Sequence, residues 1–416
     1  IGSRLSARLD GVGYFNERKT IEDFDCMKDV VIIGAGIASV TAAEAIRDHG
    51  FEGTITIIGE EDRLPYQRPP LSKSYLISKE ISSPALIRPE KFFLDKMISL
   101  KRGLKAIEVD RLSKKVVIDN GEILSYDALI FATGARPRTL QLSEPIPQNV
   151  FYLRNVEDAN SLRNAIFNSQ CNKVVILGAG VIGLEVASSF NAQGKQVTVI
   201  EANKRPMSRV ASPATTNFIA DKMAKAGVSF CFNVFFQSFQ YEGSKVSAVN
   251  LSDGTTQQAD IVVVGIGAIP NTDLAQVAEL ECDGGILVDN NMRTSDPNIY
   301  AIGDCSKVVN SFSNSSSAIR IETIHNAMTT AKAAAAHICG KPTPPQVAPR
   351  FWSDLEGLKV QSVGISDGYD RIYRNPNDDD NVREFWLFSK DRMIAAETIN
   401  LPTKQSKLAN AVTKRI

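Results

Sequence analysis

Two stretches of one design limit what this chain can fold into. "VVIIGAGIAS" covers residues 30–39 and "VVILGAGVIG" covers residues 174–183. Each begins with a run of β-branched residues, the pattern of a strand buried on both faces in a parallel sheet. Glycines follow, and then an alanine-rich or aliphatic stretch with helical character. The first helix is expected to end at Gly50, and a second strand, "TITIIGEE", leads to Glu60. After the second box the matching strand is "QVTVIEA", which carries Glu201.

The glycines have separable duties. Gly34 permits the tight turn out of the strand, and Gly36 lets backbone approach a pyrophosphate on the helix N-terminus, where free N–H groups favour anions. Ala38 lies within the same turn. Ser39 takes the third position of the first box and is small enough for helix–strand packing. The second box has all three glycines, Gly178, Gly180 and Gly183, with Val181 and Ile182 between them. Glu60 and Glu201 stand where a ribose would be hydrogen-bonded. One glycine box is weak evidence, because such turns also use glycine for steric reasons. Two complete βαβ units, 144 residues apart (178 − 34), point to two dinucleotide sites.

The expected fold is therefore α/β, with two Rossmann-like dinucleotide-binding domains in a glutathione-reductase-like arrangement and a small α+β C-terminal domain. The strand-to-glycine turns "YDALIFATGARPR" and "PNIYAIGDCSKV" flank the second box, which places the second nucleotide domain as an insertion within the first. The expected boundaries are 27–138 with 268–340 for the first domain, 139–267 for the second and 341–416 for the last. In the last segment, strand-like pieces separated by "NPNDDDN" and a helix near "KLANAV" suggest a small antiparallel sheet and a final helix. Residues 1–26 have little periodicity and lack the apolar core of a signal peptide, so Met27 reads as the natural start and the preceding segment as a leader or an expression extension.

Composition narrows the function classes. Across 416 residues, 47 Lys plus Arg balance 47 Asp plus Glu, which gives no sign of a general nucleic-acid or membrane-surface protein. No apolar run approaches the roughly 20 residues of a membrane helix. The six cysteines, at 26, 171, 231, 282, 305 and 339, form no C-x-x-C pair and read as reduced thiols of a cytoplasmic protein. No metal-site pattern is evident.

The boxes, "RPPLSK", "ATGARPR", "VVVGIGAIPN" and "YAIGDCS", in that order, resemble the FAD-dependent, NADH-oxidising ferredoxin reductases of aromatic-ring dioxygenase and P450 systems, of the biphenyl dioxygenase and putidaredoxin reductase type. The resemblance spans about residues 28–400. It implies that the first box and the GD motif bind FAD, that the second box binds NADH, and that the C-terminal domain completes the flavin pocket. It assigns Ala38 to the pyrophosphate turn, Glu60 to the adenosine ribose, Ala106 to a place beside the adenine and Arg136 to the phosphate region. Asp304 falls on the ribityl chain, Lys73 at the flavin edge and Ile324 against the isoalloxazine. Thr133, Gly134, Gly267 and Gly303 are included as cofactor-lining positions of these motifs. Glu185 pairs with Lys73 as the implied catalytic couple. Trp352 reads either as a neighbour of the flavin or as an anchor of the C-terminal domain. Relatives of the biphenyl type carry an aromatic residue where this chain has Ile324.

The implied activity is transfer of electrons from NADH through FAD, singly, to a [2Fe–2S] ferredoxin that feeds an oxygenase in aromatic hydrocarbon breakdown. The protein is expected as a monomer or weak homodimer, and Arg63, Arg68, Lys79, Arg374 and Arg383 are the candidate basic residues for docking an acidic ferredoxin. A disulfide reductase would need a C-x-x-x-x-C pair near "RPPLSKSYLISKE", and an NADH oxidase or peroxidase a single cysteine there; neither is present. Flavoproteins resembling monodehydroascorbate reductase or apoptosis-inducing factor share the scaffold, and a flavin sensor that works without turnover is the remaining alternative.

Overall fold

The computed structural model describes residues 27–80, 83–142, 146–167, 170–376 and 379–414. The segment expected to be a leader, 1–26, lies outside the described residues, as does part of the "NPNDDDN" turn.

The first glycine box starts a five-stranded parallel sheet. Its strands are Ile299–Ala301, Ala128–Phe131, Asp29–Ile33, Thr54–Gly59 and Ile98–Arg102, in that spatial order. Ile299–Ala301 pairs with Ala128–Phe131, so strands on either side of the second glycine box in sequence are neighbours in one sheet. The sheet is covered by the helices Ile37–Asp48 and Ile324–Ile338, which pack on each other. Both are rich in buried alanine, including Ala42, Ala43, Ala331 and Ala334, so their backbones approach closely.

The second box starts another five-stranded parallel sheet, ordered Ser229–Phe232, Gln196–Glu201, Lys173–Leu177, Ile261–Val264 and Val150–Phe151. All four residues of Ile261–Val264 are buried, as expected of a strand covered on both faces. Between the two sheets runs a two-stranded antiparallel ribbon, Ala135–Pro137 with Ala268–Pro270. Two three-stranded antiparallel sheets, built on Ala106–Asp110 and on Phe236–Glu242, are additions to which no motif in the sequence points.

The C-terminal part forms a five-stranded antiparallel sheet with the helix Gln405–Lys414, as the strand and helix patterns suggested. Its strand Arg350–Leu355 contacts the helices Val181–Ala192 and Ile324–Ile338, so this sheet closes over the junction between the two nucleotide-binding units. Among the described residues no helix is long and apolar enough to cross a membrane.

Candidate cofactor and hydride-transfer site

The first box adopts the backbone its glycines predict. Gly34 has φ +110, and a Cβ there would lie 2.2 Å from the Ala132 carbonyl oxygen, so only glycine fits. Gly36 is the N-cap of the 12-residue helix Ile37–Asp48, with no side chain capping it. A Cβ on Gly36 would meet nothing within 4 Å. The free N–H groups of the helix therefore face open space, which is the cradle a pyrophosphate needs. The second box repeats this. Gly178 has φ +102, and its Cβ would strike the Gly265 carbonyl oxygen at 2.4 Å, while Gly180 is an uncapped N-cap whose nearest neighbour would be 3.9 Å away. Gly183 serves packing, since a Cβ would lie 2.0 Å from the Gly178 oxygen.

Around the first cradle the other motif residues converge. Gly303, at φ +69, turns its Cβ side onto Ala38 and Ala327, which brings the GD turn against the first helix and the helix Ile324–Ile338. Asp304 lies 3.6 Å from Arg154, and Arg154 in turn stands 3.1 Å from where a Cβ on Gly134 would be. Burial pushes the Asp304 carboxyl up from its ordinary range, against the pull of Arg154. Thr133 is locked to Asn271 by reciprocal bonds: its hydroxyl donates to the Asn271 carbonyl at 2.6 Å, and the Asn271 amide donates back at 2.8 Å. Ser39 is fully buried, and its hydroxyl has no protein partner.

Glu60 is exposed and pairs with Lys105 at 3.0 Å, next to the buried Ala106. Arg136 points elsewhere. Its guanidinium spans Asp273 at 2.7 Å and Asn271 at 2.9 Å, on the ribbon between the two sheets. Ile324 is the first residue of the helix Ile324–Ile338, capped by the Thr323 side chain, which accepts the Asn326 N–H. Beside it the buried Nδ1 of His325 has no partner, and burial followed by the nearby charges of Arg350 and Lys332 lowers that imidazole's pKa. Trp352 is 42% exposed, so it does not anchor the C-terminal core.

Glu201 sits at the second site with both oxygens engaged. Oε2 accepts the Ala179 N–H at 2.8 Å, and Oε1 accepts from the backbone and side chain of Asn203 at 2.9 and 2.6 Å. Gly267, at φ +118, faces the tip of Arg209, which lies 3.5 Å from where its Cβ would be. Arg205 is committed to the carbonyls of Ala211 and Ser208 and to the Thr216 hydroxyl. Val181 is half-buried, and Ile182 is exposed at the rim.

Between the two cradles lies a buried ion pair. Lys73 Nζ is 2.6 Å from Glu185 Oε1, with side chains 20% and 3% exposed. Lys73 follows the short 3-10 turn Pro69–Ser72, whose prolines stiffen the backbone, and Glu185 comes from the helix after the second box. Ser72 and Ser353 also donate to this carboxylate, Ser353 at 2.6 Å. Breaking a buried pair of this kind strands a charge at a cost of about 3–5 kcal/mol. Sequence reasoning found the pair through family resemblance and missed both serines, as it missed Arg154.

Of the candidate docking residues, Arg63 pairs with Glu157 at 2.6 Å and Arg68 with Glu61 at 2.6 Å, while Lys79 is exposed. Arg374 lies on the strand Arg371–Arg374 of the C-terminal sheet, and the Arg383 guanidinium stacks 4.4 Å from the Phe218 ring. The five described cysteines are all free thiols, and Cys305, inside the GD motif, is fully buried. Burial pushes that thiol up, the reverse of what a redox nucleophile requires.

Residues 28–331 match the family model of pyridine nucleotide-disulphide oxidoreductases, and residues 350–416 match the reductase C-terminal family. A rubredoxin-NAD(+) reductase from Pseudomonas putida is 42% identical over 383 residues, covering 92% of this chain and 98% of the relative. The ferredoxin–NAD(+) reductase component of a 3-phenylpropionate/cinnamic acid dioxygenase, from Photorhabdus laumondii, is 37% identical over 80% of this chain and 83% of its own. Among solved structures, the covalent putidaredoxin reductase–putidaredoxin complex superposes with a TM-score of 0.88 at 34% identity, covering 94% of each chain. The chain belongs to the pyridine nucleotide-disulphide oxidoreductase family, within its branch of NAD-dependent reductases of small iron-sulfur proteins. Family membership brings FAD and NAD(H) as the cofactors, and the two uncapped glycine cradles fit both.

Proposed function

We propose, from membership of this family and from the buried Lys73–Glu185 pair set between two dinucleotide cradles, that the chain is an NADH-dependent flavoprotein reductase delivering electrons one at a time to a small iron-sulfur protein of an oxygenase system. In this reading the chain divides at 27–138 with 268–340, 139–267 and 341–416 into an FAD domain, an NADH domain and a C-terminal domain. The flavin, when bound, converts the two-electron donor into single-electron steps.

The chain's own residues do the positioning. Gly34, Gly36, Ala38 and Ser39 form the FAD pyrophosphate turn, Glu60 with Ala106 receives the adenosine end, and Gly303 with Asp304 takes the ribityl end. Thr133 and Gly134 line the cradle, and Ile324 and Trp352 lie towards the isoalloxazine. Arg136, held by Asp273 and Asn271, belongs to the ribbon Ala135–Pro137. Gly178, Gly180, Val181, Ile182, Gly183, Glu201 and Gly267 hold NADH. Lys73 is kept as a fixed ammonium at the flavin edge by Glu185. The segment 69–80 has no cysteine, so this chain supplies no dithiol there that could act as a relay for a bound flavin.

The identity of the rubredoxin reductase relative supports a rubredoxin as an acceptor beside the [2Fe–2S] ferredoxin. Stopped-flow mixing with NADH, followed by oxidised rubredoxin or [2Fe–2S] ferredoxin in parallel, tests the reading. Rapid bleaching of the flavin and stoichiometric one-electron reduction of one acceptor are expected. A flavin that NADH does not bleach would overturn the assignment.

A further inference from the structure

Glu185 receives more than its lysine. Oε1 accepts both the Lys73 ammonium and the Ser353 hydroxyl, each at 2.6 Å, while Oε2 accepts the Ser72 hydroxyl. The three donors come from two separate parts of the chain: Ser72 and Lys73 from the proline-stiffened wall, and Ser353 from the C-terminal sheet. A fourth bond, from the Ser189 hydroxyl to the Ser72 carbonyl at 2.7 Å, ties the wall to the same helix one turn further on.

Ser353 stands out in its strand. Side chains alternate along Arg350–Leu355, so Phe351, Ser353 and Leu355 share a face, and Phe351 and Leu355 pack in the cluster that contains Leu184. A serine 1% exposed on an apolar face would be a desolvation cost without a partner, and its hydroxyl donates to Glu185. The accepting carboxylate is itself 3% exposed, so bulk solvent does not reach it in the intact protein.

We propose that Ser353 is a positioning residue for hydride transfer: its hydroxyl, delivered from the C-terminal domain, holds the Glu185 carboxylate in the one orientation that keeps Lys73 in place at the flavin edge. The inference rests on the reductase reading above. It gives the C-terminal sheet a direct part in the reaction centre through a single hydroxyl. Ser353 acts through Glu185 and Lys73.

The test uses the FAD-loaded full chain and its Ser353→Ala and Ser353→Thr variants. Stopped flow separates the limiting rate of flavin bleaching from the apparent NADH dissociation constant. Photoreduction against reference dyes gives the flavin midpoint potential without any NADH. Losing one hydrogen bond to a buried charge lowers the limiting rate of Ser353→Ala about 10-fold, leaves the dissociation constant within about twofold and moves the potential negative, because the ammonium is held less firmly. Ser353→Thr, which retains the hydroxyl, recovers both readings. Should the alanine variant fail to hold flavin, Ser353→Cys keeps the volume with only a weak donor and shows the same split. An unchanged rate and potential overturn the proposal, as does a change confined to the dissociation constant or an equal loss in the alanine and threonine variants. Wild-type flavin that NADH cannot bleach defeats the reductase reading instead, and the potential still judges Ser353.

Discussion

Glu397, from the strand Arg392–Ile399 of the C-terminal sheet, closes the N-terminal end of the helix Pro213–Lys225: its Oε1 accepts the Ser212 N–H at 2.8 Å and its Oε2 the Ser212 hydroxyl at 2.6 Å. Ser212 is the N-cap of that helix, and the Thr215 hydroxyl donates to the same carboxylate. Glu397 thereby fastens the C-terminal sheet to the unit carrying the second glycine box.

Replacing Glu397 with alanine removes the acceptor of three hydrogen bonds, from the Ser212 N–H and hydroxyl and the Thr215 hydroxyl. The expected loss is about 2–4 kcal/mol, measured by thermal or denaturant unfolding. Burial raises the Glu397 pKa above its ordinary 4.5, with Ser212 and Thr215 opposing the shift. Its contribution is therefore fully present below about pH 4.5 and is lost as pH rises through the folded-state value. Glu397→Gln removes this dependence, so the stability difference between wild type and Glu397→Gln should shift in favour of the variant as pH rises from 4 to 8. A difference that stays constant with pH would show that Glu397 does not titrate in this way.

The glycine boxes separate folding from binding. Gly34→Ala and Gly178→Ala introduce atoms 2.2 and 2.4 Å from backbone oxygens at positive φ, and both should lower the unfolding midpoint. A Cβ at Gly36 or Gly180 meets no such obstacle in the protein. Gly36→Ala and Gly180→Ala should fold, with Gly36→Ala purified pale and flavin-poor, and Gly180→Ala yellow but slow to react with NADH. The ratio of flavin to protein absorbance and the thermal midpoint distinguish the two classes.

If Glu201 receives the ribose as proposed, cofactor choice should favour NADH over NADPH by at least about tenfold in kcat/KM, because a carboxylate there repels a 2′-phosphate and Arg205 is spent on Ala211, Ser208 and Thr216. Glu201→Ala narrows that preference mainly by raising the KM for NADH. A variant that keeps the full ratio would place the discrimination elsewhere, with Lys204 and Arg209 next to be examined.

Electron exit to an acidic iron-sulfur protein should slow as salt shortens the Debye length from about 30 to 10 Å, while flavin bleaching by NADH changes little. Arg63 holds Glu157 in an exposed pair of small intrinsic worth, so it can turn to a partner at modest cost, whereas Arg68 is also tied to the Arg154 carbonyl at 2.8 Å. Reversing Arg63 and Lys79 together should reduce turnover with the protein acceptor and spare ferricyanide reduction. Equal losses with both acceptors would exclude this surface.

What the sequence determined by itself was everything dictated by local backbone demand. Gly34, Gly36, Gly178, Gly180 and Gly183 act within their own turns, and the β-branched runs before them specify buried parallel strands wherever they pair, so both nucleotide folds were legible from short windows. Gly303, at φ +69, belongs to the same class. Tertiary structure decided whatever depends on which distant side chain arrives. Glu185 meets Ser72 across 113 residues and Ser353 across 168; Arg136 turns to Asp273 across 137; and Glu397 reaches Ser212 across 185. Nothing in a serine on an aliphatic strand announces its partner, because a hydrogen bond of this kind is set by the register and packing of two elements that share no local pattern.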